Sequence, residues 1–131
     1  MIRPSLLPAA LCLAVLSAHA LPARAAGDAD RGKAVFAKCS ACHSIDAPKN
    51  RVGPYLMGVV GRAAAQVADY RYSKAMIAAG EGGLVWDEAT LTDYLAGPKA
   101  KVPGTKMSFS GLKTPEDIAD VIAYLKAHPA P

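Results

Sequence analysis

Apolar positions recur at helical spacing in several short stretches of this chain, separated by long segments with no period. Gly32, Val35, Phe36 and Cys39 fall at i, i+3, i+4 and i+7, so an apolar stripe runs from a helix start at Asp28 into residues 39–43. Residues 44–72 are rich in Gly, Pro and Ala and read as ordered loop, with turns at Gly53-Pro54, Gly58 and Gly61. A short helix is predicted from Ser73 to Ala79, stopping at Gly80, with a loop over 81–83. Asp87 caps another, carrying Leu91, Tyr94 and Leu95 and ending at Gly97-Pro98; a loop over 98–113 follows. The last helix has the clearest start: Thr114 as cap, Pro115 at its first position, Glu116 and Asp117 in its first turn. Ile118, Val121, Ile122 and Leu125 keep one helical face, and Pro129 closes it. No strand pattern stands out. The chain reads as all-α with long loops, which are unusual in a small domain unless they wrap something flat.

The N-terminus belongs to a different class of segment. A short basic start (Met1 to Arg3) precedes an apolar run from Ser5 to Ala18, and Ala18-His19-Ala20 and Ala23-Arg24-Ala25 are small-x-small cleavage sites. That is the pattern of a secretory signal peptide over residues 1–26, cut after Ala20, Ala25 or Ala26. The apolar run, broken by Pro8, falls short of the roughly 20 residues that cross a bilayer. The mature domain is then 27–131, in the periplasm. Residues 1–26 hold Arg3, Arg24 and no acid, so 15 basic side chains become 13 against 11 acidic, a net charge of +2. Cys12 is lost too, leaving two cysteines. A domain of this size has little apolar surface to bury unaided.

Those two cysteines lie in Cys39-Ser40-Ala41-Cys42-His43. The C-x-x-C-H spacing marks covalent attachment of a c-type haem. Thiols three residues apart on a helical turn face the same way and reach two vinyl groups on one porphyrin edge. His43, next in the chain, supplies an imidazole to the iron. A redox dithiol shares C-x-x-C but needs strand-helix-strand units, and a zinc site needs more ligands than are present. For the other axial position the candidates are Met57, Met76, Met107 and His128. Met76 sits in a helical apolar context and Met57 lies close to the histidine side. Met107 follows Pro103-Gly104 in a loop that holds it away from any helix, and is the chosen ligand. A thioether and an imidazole together leave the iron no open position.

The chain resembles a class I cytochrome c of the soluble mitochondrial and bacterial c2 kind. The resemblance spans 27–128: Gly27-Asp28, Gly32, Phe36, Cys39 to His43, Val52-Gly-Pro-Tyr-Leu56, Gly61-Arg62, Tyr72-Ser73, Trp86, Tyr94-Leu95, Pro98-Lys99, Lys101-Val-Pro-Gly-Thr-Lys-Met107 and Ile122-Ala-Tyr-Leu125. It implies a small cytochrome c fold around one haem c. It also implies that the Pro54 carbonyl orients His43, that Arg62, Tyr72 and Trp86 hold a propionate, and that Tyr94 and Thr105 lie near the Met107 sulfur. Gly32 and Phe36 would meet Tyr124 and Leu125 where the terminal helices cross. Met76 and Ala65 depart from the pattern, standing where asparagine and glycine are common. The implied function is a monomeric periplasmic one-electron carrier and not an enzyme. Its donor would be a bc1-type complex and its acceptor an oxidase or photosynthetic reaction centre. The alternative is a haem c enzyme or gas sensor with a labile methionine ligand.

Charge is unevenly placed. Lys49, Arg51 and Arg62 lie in a stretch with no acid, as do Lys99, Lys101, Lys106 and Lys113. Lys38, Lys49, Lys99, Lys106 and Lys113 are expected to form a basic face around the haem edge that steers the protein to acidic docking surfaces. The low net charge and the signal peptide argue against nucleic acid.

Overall fold

A computed structural model describes residues 26–131. The segment read as a signal peptide lies outside those residues except for Ala26. Five helices follow in order: α1 (Ala29–Phe36), α2 (Lys74–Glu81), α3 (Glu88–Ala96), α4 (Pro98–Lys101) and α5 (Pro115–Lys126). Among the described residues the sole β pairing is an isolated antiparallel bridge between Ala63 and Val85, and no helix is long and apolar enough to cross a membrane.

Local chemistry starts four of the helices. Side chains of Asp28, Ser73, Asp87 and Thr114 accept hydrogen bonds from the backbone N–H of Arg31, Met76, Thr90 and Asp117. Each such cap stabilises its helix by about 1 kcal/mol. Two boundaries differ from the reading of the sequence. α2 does not stop at Gly80 but runs on to Glu81, with Gly82 as its cap. Gly80 is there for contact: a Cβ on it would lie 2.4 Å from the Ala64 carbonyl oxygen. The 98–113 loop contains the single turn α4, which has Pro98 at its start and no side-chain cap.

The terminal helices are the frame. Gly32 lets α1 press onto α5, where an added Cβ would meet the Asp120 carbonyl oxygen at 2.0 Å. Phe36 packs on Tyr124 with ring centroids 5.3 Å apart. Buried Asp120 pins the crossing: its carboxylate accepts from the Asp28 N–H at 2.7 Å and from Arg31 Nε at 2.8 Å. The Arg31 hydrogen bond, then the Asp28 N–H, hold the Asp120 carboxyl below its ordinary value.

Past α1 the chain keeps turning. Cys39 and Ser40 donate to the Phe36 carbonyl, and Cys42 and His43 donate to that of Cys39. The 44–72 segment then wraps the core, and Ala65 takes φ +59, a left-handed conformation that favours glycine. The frame generates a prediction. Gly32→Ala must push the terminal helices apart, so denaturant unfolding should show a loss of about 3 kcal/mol; an unchanged midpoint would contradict this packing.

Candidate functional site

The core opens on a cavity of about 430 Å³, within the range of small-molecule and cofactor sites. Cys39, Cys42, His43, Pro54, Arg62, Tyr72, Trp86, Tyr94, Thr105 and Met107 all line it. Two loops and the turn after α1 therefore meet at one place, although Met107 lies far from His43 in sequence.

On the histidine side, His43 Nδ1 lies 2.7 Å from the Pro54 carbonyl oxygen. A carbonyl only accepts, so Nδ1 carries the proton and Nε2 keeps a free lone pair. Burial pushes the His43 pKa down, opposed in part by the Pro54 bond, which favours a neutral, ligating imidazole. Two backbone bonds and one side-chain bond support this geometry: Gly53 N–H donates to Cys42 O, Leu56 N–H to Ser44 O, and the Arg51 guanidinium Nη1 to Ser40 O. Gly53 sits so close that a Cβ there would lie 2.3 Å from His43 Cε1. Cys39 and Cys42 are not joined in a disulfide, and burial pushes the Cys39 thiol up.

On the methionine side, the Tyr94 hydroxyl donates to Met107 Sδ at 3.5 Å, and Tyr94 packs edge-on against buried Trp86. Burial raises the Tyr94 pKa, with the Thr105 hydroxyl partly offsetting it. Thr105 Oγ1 also accepts weakly from the Met107 N–H at 3.4 Å. Arg62 is half-buried and donates to the Tyr55 and Met57 carbonyls; among the described residues no carboxylate pairs with it. Burial lowers its pKa, with Tyr72 and Tyr55 opposing. A half-buried cation in this position suits an anionic group on whatever fills the cavity.

Of the other candidates, Met76 is buried and lines the cavity, Met57 does not line it, and His128 faces Asp46 at the end of the chain. Lys38 and Lys106 reach the rim. Lys38 also lies 3.7 Å from Asp117, while Lys106 turns onto Tyr70. Lys49, Lys99 and Lys113 are exposed and lie outside the lining. The sequence marks Gly53 only as a turn and Arg51 only as a charge in a basic stretch, and does not single out Tyr70, at which only the Tyr-x-Tyr repeat at 70–72 hints.

The residues present fit a haem: two thiols beside an oriented imidazole nitrogen, a thioether, an apolar enclosure and a cation for an acidic substituent. Residues 29–129 match the cytochrome c family. The chain is 56% identical over 96 residues to a cytochrome c2 of Afifella marina, covering 72% of this chain and 77% of that one. It is 50% identical over 100 residues to a cytochrome c2 of Agrobacterium tumefaciens, covering 76% and 90%. Among solved structures, cytochrome c2 from Rhodospirillum centenum superposes with TM-score 0.75 at 38% identity, covering 79% and 100%. Cytochrome cH from Methylobacterium extorquens gives 0.71 at 49%, covering 77% and 99%.

The close approach of Gly53 is testable. Gly53→Ala should displace the His43 ring and break its bond to Pro54. The measurement is exchange of the imidazole N–H proton by NMR, expected to become fast; continued protection would contradict the contact.

Proposed function

The chain belongs to the cytochrome c family, of the c2 type, and from that premise we propose that it is a periplasmic one-electron carrier. The reading is supported above all by one observation: His43 and Met107, from distant parts of the chain, line the same cavity as both thiols. Cys39 and Cys42 would hold haem c as thioethers, with His43 and Met107 as iron ligands. When bound, the group supplies a one-electron couple.

The protein's own residues set its properties. Pro54 keeps the imidazole in one tautomer and orientation, as partners of metal-bound histidines do. Met107 is a soft donor that raises the potential relative to two histidines. If His43 and Met107 both hold the iron, no position would remain for a substrate, which favours a carrier over an enzyme or gas sensor. Trp86, Leu91 and Leu95 are buried and line the cavity, excluding water. Arg62, Tyr72 and Trp86 would receive the propionate.

Residues 1–26 would direct export and be removed after Ala20, Ala25 or Ala26. The donor would be a bc1-type complex and the acceptor an oxidase or reaction centre. Lys38, Lys49, Lys99, Lys106 and Lys113 would guide docking through long-range attraction.

Two experiments test this reading. Met107→Ala should abolish the sulfur-to-iron charge-transfer band of the ferric holoprotein and allow carbon monoxide to bind the ferrous form. A spectrum identical to wild type would remove Met107 from the iron. Electron-transfer rate to membranes should fall steeply between low salt and 0.15 M, where the Debye length shrinks to about 8 Å; a flat dependence would contradict charge-guided docking.

A further inference from the structure

The two loops that frame the cavity mouth are joined by a residue outside the ligand set. The Tyr70 hydroxyl donates to the Val52 carbonyl at 2.9 Å, next to the Gly53-Pro54 pair that seats His43. The Lys106 ammonium lies over the Tyr70 ring, 4.6 Å from its centroid, and Lys106 immediately precedes Met107. That ammonium also donates to the Arg71 carbonyl. Tyr70 is braced from behind by the edge of Tyr72, with ring centroids 4.8 Å apart. The Tyr72 hydroxyl in turn accepts from the Val67 N–H at 3.2 Å, and Asn50 Nδ2 donates to Ala68 O at 3.0 Å. Segment 67–72 is thus tied to both loops.

The two sides of the cavity are unequally held. His43 sits next to Cys42 in a zipped turn with a short bond to Pro54. Residues 106–110 form no regular element, and the nearby restraints on Met107 are few: one hydrogen bond from the Tyr94 hydroxyl to its sulfur at 3.5 Å and a long one from its N–H to Thr105 at 3.4 Å. The methionine loop is therefore the one to swing out, and Tyr70 holds its neighbour.

We propose that Tyr70, acting through Lys106, is a strap that positions Met107 and sets how readily an outside ligand displaces it. This rests on the ligand assignment above. Tyr70 is a positioning residue, since it acts on Met107 only through its neighbour. An entering ligand needs the open form, so its apparent affinity scales with the open fraction.

The test is imidazole titration of the ferric holoprotein, followed by loss of the sulfur-to-iron band. Tyr70→Phe keeps the ring and deletes the bond to Val52, so apparent affinity should rise about fivefold. Tyr70→Leu removes the cation–π contact as well, giving about twentyfold. Lys106→Met should act less in the Tyr70→Leu background than in wild type, because the shared contact is already gone. Arg31→Met, which breaks the Asp120 clasp, should lower the melting temperature and leave imidazole affinity unchanged. Wild-type affinity in Tyr70→Leu would overturn the strap. So would an equal gain in Arg31→Met, which would mean that general loosening releases Met107. A wild-type holoprotein without the band would overturn the ligand assignment itself, and that is seen before any variant is made.

Discussion

Everything in this fold answers to the contact between the polypeptide and whatever fills its central cavity. A cavity of about 430 Å³ opens into a domain whose helices are only 8, 8, 9, 4 and 12 residues long, and a domain of this size buries little apolar surface unless something fills such a space. The proposed covalent anchor at Cys39 and Cys42 would turn a binding problem into a folding one: a bound group that could not leave would act as the largest member of the core.

The rest of the architecture follows from that dependence. α1 and α5 cross at Gly32 and are locked by Asp120, which delivers the turn bearing the thiols and His43 to the cavity at a fixed angle. Pro54 and Gly53 then fix one ring orientation. Met107 itself lies in a loop, held by the Tyr94 hydroxyl from α3, by Thr105 and by the proposed strap through Lys106. Under the proposed ligation this asymmetry has a chemical sense: an imidazole next to a covalent anchor would be hard to lose, whereas a thioether in a loop would have to be held in place by its neighbours.

How much of this is legible in the sequence depends on how local each cause is. The caps at Asp28, Ser73, Asp87 and Thr114 act within three residues, so four helix starts could be read directly. The Cys39 to His43 motif carries its chemistry in its spacing. α4 escaped notice because a single turn has no period and no capping side chain. Gly80 was misread as a stop because its true role is contact with Ala64, which no local pattern encodes. The roles of Asp120, Arg51 and Tyr70 are hidden for the same reason: their partners are backbone groups or side chains brought near only by the fold. Ala65 is the reverse case, a departure visible in the sequence whose left-handed backbone only the structure displays.

Haem attachment and folding should be inseparable in this chain. The decisive comparison is between the mature chain made with and without haem attachment, by far-ultraviolet circular dichroism and amide hydrogen exchange of α1 and α5. Both helices should be strongly protected in the haem-bearing protein, and that protection should be lost with most of the helical signal in the haem-free chain. A haem-free chain that kept the same protected α1–α5 crossing and the same melting temperature would contradict it.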